Sequence, residues 1–147
     1  MKQKMAQKKN KTKEDLKLFG QKIINDAEKS RNPSIEVPIR ALSNVSFNTK
    51  TKTLELGKKI AKRYFFIVAH AKKFLQTVEI ASISKNLIEE QKHASLRDVF
   101  YMAKRTISGT NINIVDDQKE SDEVIEDLEL ITDTTREQLN INANKNG

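Results

Sequence analysis

Arg97-Asp98-Val99-Phe100-Tyr101 is the stretch of this chain whose residue types and spacing could do chemistry. It reads as helix, and helical residues three and four apart share a face. Tyr101 then stands beside the guanidinium of Arg97 and near the carboxylate of Asp98. A phenol next to a fixed positive charge and a possible proton acceptor is a grouping that suits a tyrosine attacking a DNA phosphodiester. A free phenol has a pKa near 10, so only about 0.1% is phenolate at neutral pH. Attack therefore needs a base or a nearby cation, and the charge gathered in the transition state needs donors to match it. Arg97, with its forked donors, suits the second task. Asp98 suits either the orientation of Arg97 or the capping of its helix. A packing tyrosine with charged neighbours would satisfy the same pentapeptide, so spacing alone leaves both readings open.

The elements on either side must position this group. A helix is predicted to end near Gln91, Lys92-His93-Ala94 forms a short turn, and Ser95 caps a new helix. Ser95 with Asp98 three residues later is an aspartate version of the capping box. Helix, short turn and capped second helix make a helix-turn-helix pattern, whose second helix commonly enters a major groove. Here that helix carries Arg97, Tyr101, Lys104 and Arg105. Upstream, helical periodicity runs from Lys58 to about Glu90, with Ile60, Phe65, Ala69, Phe74, Ala81 and Leu87 among its core residues. Lys58, Lys59, Lys62, Arg63, Lys72 and Lys73 decorate its first part. Tyr64, the only other tyrosine, is assigned to the core by its neighbours Phe65 and Phe66.

Residues 1–13 contain six lysines and almost no apolar side chains, which predicts a disordered basic tail. From Glu14 to about Lys29, Leu16, Phe19, Ile23, Ile24 and Ala27 form one helical stripe. Gly20 in its middle makes this helix dependent on a partner surface. Pro33 and Pro38 bracket an extended segment holding Ile35 and Val37. Val45 and Phe47, a polar turn, then Leu54 and Leu56 predict a β-hairpin. Ile112, Ile114 and Val115 predict a short strand, and Asp116 to Glu129 an acidic helix. Asp116, Asp117, Asp122 and Glu123 could be magnesium ligands, and a solvated helix start accounts for them equally well. Leu139 and Ile141 alternate with polar residues, and Asn144–Gly147 has turn chemistry without a return strand.

Composition narrows the class. The chain has 147 residues, no cysteine and two separated histidines, His70 and His93. A disulfide framework or thiolate metal site is excluded, and a zinc site is not expected. No apolar run approaches the ~20 residues that cross a bilayer, and the start lacks a hydrophobic signal segment. A soluble intracellular protein is expected. Residues 1–115 hold 24 Lys and Arg against 10 Asp and Glu, while residues 116–147 hold 3 against 10, so the two parts carry +14 and −7. The basic part suggests a polyanionic partner.

Six segments in order then resemble one family. They are Pro38-Ile39-Arg40 with Ser43-Asn44, Leu56-Gly57, Ala71-Lys72-Lys73-Phe74, Ser95 to Tyr101, and Arg136-Glu137-Gln138-Leu139-Asn140-Ile141. From about Asn32 onward the chain resembles the N-terminal half of the A subunit of type IIB DNA topoisomerases (topoisomerase VI), which are kin to the meiotic double-strand-break enzyme. The resemblance implies an α+β, mostly helical winged-helix domain of the catabolite-activator type over residues 32–147. It implies that Tyr101 attacks double-stranded DNA and stays joined to the 5′ phosphate, with Arg97 catalytic and Asp98 supporting. Lys104, Arg105, Arg40, Lys72 and Lys73 are expected to meet DNA. The helix at residues 14–31 is expected to contact an ATPase B subunit. Magnesium is expected from a Toprim domain, not from this chain, and the expected location is cytoplasmic, with the nucleoid.

The chain ends before such a Toprim domain could begin. That leaves an excised fragment, one part of a gene-split A subunit, or a stand-alone winged-helix protein that binds DNA without cutting it. A basic RNA-binding protein is a weaker alternative, because few exposed aromatics are available to stack on bases.

Overall fold

Leu16, Ile80, Val99, Val124, Ile125 and Leu128 meet in one apolar core, and the helices that carry them set the architecture. In the computed structural model, which describes residues 2–29 and 31–143, these are α1 (Lys2–Glu28), α2 (Val68–Glu89), α3 (Leu96–Ala103) and α4 (Gln118–Thr132). Each fully buried aliphatic side chain contributes about 1.5–3 kcal/mol. Six short strands complete the fold: β1 (Ser34–Pro38), β2 (Val45–Asn48), β3 (Thr53–Leu56), β4 (Ile60–Tyr64), β5 (Ala94–Ser95) and β6 (Ile141–Asn142). They pair two by two, β1 with β4 and β2 with β3 antiparallel, and β5 with β6 parallel. The class is α+β and mostly helical, as expected.

The N-terminus departs from expectation. Residues 1–13 are predicted to be disordered, yet α1 runs unbroken from Lys2 to Glu28. Thr12 is buried and its hydroxyl donates to Lys8 O at 3.0 Å. Lys9 Nζ lies 3.2 Å from His93 Nε2, and Lys13 pairs with Glu89 at 3.3 Å. Lysine and glutamine are good helix formers, and the rest of the fold supplies the surface that this basic segment lacks by itself. The stripe on α1 is narrower than predicted: Leu16 is buried, Phe19 and Ile23 are half-buried, and Ile24 and Ala27 face solvent.

Residues 58–67 are also corrected. They form β4 and a turn, and α2 starts only at Val68. Pairing with β1 decides this, because Ile35 and Val37 are almost fully buried and need β4 beside them. Ile60, Phe65 and Ala69 consequently lie outside the core, and Phe66 is exposed, so it does not bury Tyr64. The predicted strand at 112–115 is absent; a single bridge, Thr106 to Asn113, stands there, with Ile112 exposed and Ile114 and Val115 buried. The predicted hairpin forms as β2–β3. Its root is locked by buried Asn44, whose Nδ2 donates to Ile39 O at 2.8 Å and Lys59 O at 3.1 Å, while Oδ1 accepts from Lys59 N at 3.0 Å. A Cβ at Gly57 would collide with that Asn44 side chain. Residues 144–147 lie outside the described residues.

The last described segment reaches back to the turn before α3. After a 3-10 turn at Arg136–Leu139, Asn140 adopts a left-handed backbone (φ 58°). Its carbonyl accepts from Ala94 N at 3.1 Å, and its Nδ2 donates to Lys92 O at 2.9 Å and, more weakly, to Leu87 O at 3.4 Å. Ser84 Oγ donates to Leu139 O at 2.8 Å. Asn140→Gly keeps the left-handed backbone and removes only the amide, so it is expected to lower stability by about 1–3 kcal/mol. Urea unfolding would measure this, and an unchanged midpoint would show that the amide is dispensable.

Candidate functional site

α3 has eight residues and two contrasting faces. Val99 and Ala103 are fully buried and Leu96 and Phe100 pack at the margin, which seats the helix against α2 and α4. Arg97, Tyr101 and Lys104 follow at spacings of four and three, and all three are exposed. The capping box forms as predicted: Ser95 Oγ accepts from Asp98 N at 3.1 Å, and Asp98 Oδ2 accepts from Ser95 N at 3.0 Å and Ser95 Oγ at 2.7 Å. Those hydrogen bonds hold the Asp98 carboxyl below its ordinary pKa, so it stays an anion at the positive end of the helix. Asp98 is therefore engaged by the cap.

Tyr101 is 56% exposed, with its hydroxyl in solvent rather than in the core. Arg97 Nη2 donates to Tyr101 Oη at 3.4 Å, and the guanidinium carbon lies 5.7 Å from the ring centre. This hydrogen bond, then the guanidinium charge, and last the Lys104 charge bring the phenol pKa below its ordinary value. The same contact raises that of Arg97. Lys104 stacks over Phe100, its Nζ 5.4 Å from the ring centre, and has no carboxylate partner among the described residues. Tyr101 is thus a solvent-facing phenol between two cations.

The other predicted DNA-contacting cations are all paired with carboxylates. Arg105 pairs with Glu79, and Arg40 with Glu126 and, at 2.9 Å, Asp127. Asp127 is buried and also takes Arg63 at 2.6 Å, so Arg40 ties the segment after β1 to α4. Lys72 contacts Asp116 at 2.7 Å and Glu120 at 3.0 Å, and Lys73 contacts Glu123 at 3.2 Å. Sequence reasoning placed these cations and acids in separate charge blocks; long-range packing joins them. It quoted Asn140 within a family-like segment but missed its structural role, whose signal is an asparagine between two apolar residues, a residue type that tolerates a left-handed backbone.

Three of the four acids near the start of α4 have other tasks, and the fourth, Asp122, is partly buried. Asp116 accepts from Lys72, which lowers its pKa, and Asp117 Oδ1 caps α4 by accepting from Glu120 N at 3.0 Å. Glu123 takes Lys73, and partial burial raises the pKa of Asp122. Among the described residues no group of three or more His, Asp or Glu could hold a metal ion. No helix among them is long and apolar enough to cross a membrane.

Comparison with known proteins places this chain in a family. A sequence profile described as type IIB DNA topoisomerase matches residues 72–141, which include α3 and Asn140. The A subunit of type 2 DNA topoisomerase 6 from Pyrococcus horikoshii is 44% identical over 126 residues, covering 86% of this chain and 33% of that protein. The Pyrococcus abyssi protein of the same name gives the same values. That of Hyperthermus butylicus is 35% identical over 145 residues, covering 92% of this chain and 38% of its own. The chain thus spans about a third of the length of the curated relatives it matches. A chain alike over most of its own length to several such proteins, and matching the profile through the helix that bears Tyr101, belongs to the type IIB DNA topoisomerase family.

Proposed function

We propose that this chain is the DNA-binding and nucleophile-bearing part of the A subunit of a type IIB topoisomerase. One observation carries the reading: Tyr101 presents its hydroxyl to solvent on a capped helix, hydrogen-bonded to Arg97. α2, the turn and α3 act as the helix-turn-helix of a winged-helix domain. The tight loop closed by the Thr106–Asn113 bridge follows α3, where a wing would lie.

In the proposed reaction the phenol proton passes to solvent, and Tyr101 Oη attacks a DNA phosphorus. A bond forms between Oη and phosphorus, and the bond to the 3′ oxygen breaks. That oxygen leaves as a 3′ hydroxyl after taking up a proton. Arg97 first enlarges the phenolate fraction and then donates to the phosphate oxygens as charge gathers on them. The product is again a phosphodiester, so resealing reverses the same steps without a nucleotide. Charge neutralisation by magnesium at the leaving oxygen is assigned to a Toprim-bearing polypeptide, since the described acids of this chain form no cluster that could hold a metal ion. Two such chains acting on opposite strands make the break double-stranded.

Two surfaces of the chain fit further partners. Leu16, Leu18 and Ile24 of α1 with Val78 and Ala81 of α2 line an open apolar groove of about 500 Å³. A helix of the ATPase B subunit is proposed to dock beside α1 there. For DNA, Arg97 and Lys104 are the first contacts; Lys72, Lys73 and Arg105 join only by exchanging their carboxylates for phosphates. Arg40, held by buried Asp127, acts in folding instead.

Three measurements test this reading. With a Toprim-bearing chain, B subunit, magnesium and supercoiled plasmid supplied, detergent should trap protein on DNA 5′ ends. Tyr101→Phe should abolish the adduct while leaving DNA affinity nearly intact; persistence of the adduct refutes the nucleophile, and its absence with every chain points to a binding module without cleavage. In a Tyr64→Phe background, phenolate absorbance should show Tyr101 titrating below the ordinary tyrosine range. Arg97→Ala should move that titration upward towards about 10, and no movement would uncouple the pair. Lys104→Ala should reduce the salt slope of DNA binding by roughly one unit. Arg40→Ala should leave that slope unchanged and lower stability by about 3 kcal/mol or less, since Arg63 still partners Asp127.

A further inference from the structure

The β2–β3 hairpin carries an apolar face that the described residues leave exposed. Val45 pairs with Leu56 and Phe47 with Leu54, so in an antiparallel ladder all four side chains lie on one face. Phe47 is 59% exposed and Leu54 74%. The opposite face is polar: Asn48 Nδ2 donates to Glu55 at 2.8 Å. β2 and β3 pack on each other, and the hairpin joins the body at its root, through Asn44 and Lys59. A two-stranded hairpin needs a third layer to be firmly ordered, and an apolar face of this kind marks an interaction surface.

We infer that this face docks an amphipathic helix whose apolar stripe is flanked by carboxylates, contributed by the polypeptide that the relatives carry outside the third matched here. Charge selects the flanks. Lys50 and Lys52 stand at the hairpin tip and Lys58 just beyond its root, and none of the three is ion-paired among the described residues. A second copy stacked on the face would bring lysines against lysines. A bilayer is disfavoured because both outer strand edges keep unpaired backbone groups, which hydrocarbon cannot satisfy. An added strand would lengthen the apolar face and leave it bare, whereas a helix laid across it covers both rows. The relatives supply the length: this chain accounts for 33% of the Pyrococcus horikoshii protein. The inference rests on membership of the family and not on cleavage by Tyr101, and its test uses no DNA.

The probe is a set of overlapping peptides tiling the unmatched part of the Pyrococcus horikoshii protein, titrated against the 147-residue chain. At least one acidic peptide with helical apolar spacing should bind, and added salt should weaken it. Phe47→Ser with Leu54→Ser should reduce its affinity at least about tenfold without changing the circular dichroism spectrum. Lys50→Glu with Lys52→Glu, which spares the apolar face, should weaken binding and remove most of its salt dependence. No binding by any peptide, or binding indifferent to both double variants, overturns the inference. So does self-association in sedimentation that the serine variant abolishes, or flotation with phosphatidylserine vesicles that it abolishes.

Discussion

The position of the tyrosine depends on a short parallel pairing between two segments far apart in sequence. An isolated eight-residue helix is not stable in water, so α3 owes its place to its neighbours. Asn140 bonds the turn between α2 and α3 through its carbonyl and its amide, and β6 then pairs with β5 immediately before the Ser95 cap. With the start of α3 pinned and Val99 and Ala103 sunk in the core, the rotation of the helix is settled. Arg97, Tyr101 and Lys104 must then point outward together. Side-chain chemistry at the site follows from a backbone contact some forty residues downstream.

Electrostatics redistributes what composition suggests. The acidic segment after residue 115 folds back on the basic body, so Lys72, Lys73 and Arg40 meet carboxylates of α4 and the residues before it. The exposed pairs are individually weak, within about 1 kcal/mol, and can be exchanged for other anions. Buried Asp127 differs, since losing both its arginines would strand a charge in the core. A body of +14 thus presents a smaller free positive surface than its sum implies. What remains beside Tyr101 is Arg97 and Lys104, enough to perturb a phenol.

Family membership and surface chemistry point the same way. Asp116, Asp117, Glu120 and Glu123 near α4 are taken up by a cap and ion pairs, and the hairpin leaves Phe47 and Leu54 exposed. Both features suit a chain that corresponds to about a third of each relative. The folding core of helices is complete without that remainder, as shown by the full burial of Ile80, Val124 and Leu128.

The amino-acid sequence by itself determined the features that obey short-range rules. The Ser95 cap, the shared face of Arg97 and Tyr101, the β2–β3 hairpin and the start of α4 each depend on residues within a few positions, and each was legible. Residues 58–67 were not legible as a strand, because their preference is decided by β1, more than twenty residues earlier. The order of residues 2–13 likewise depends on surfaces of α2 and the Asn140 segment, where lysine-rich composition alone predicts none. Only the tertiary structure decided which cations face solvent and which face carboxylates, because ion pairing is set by distance in space. The chain's local chemistry names the neighbours of Tyr101, and its long-range packing determines which way they all point.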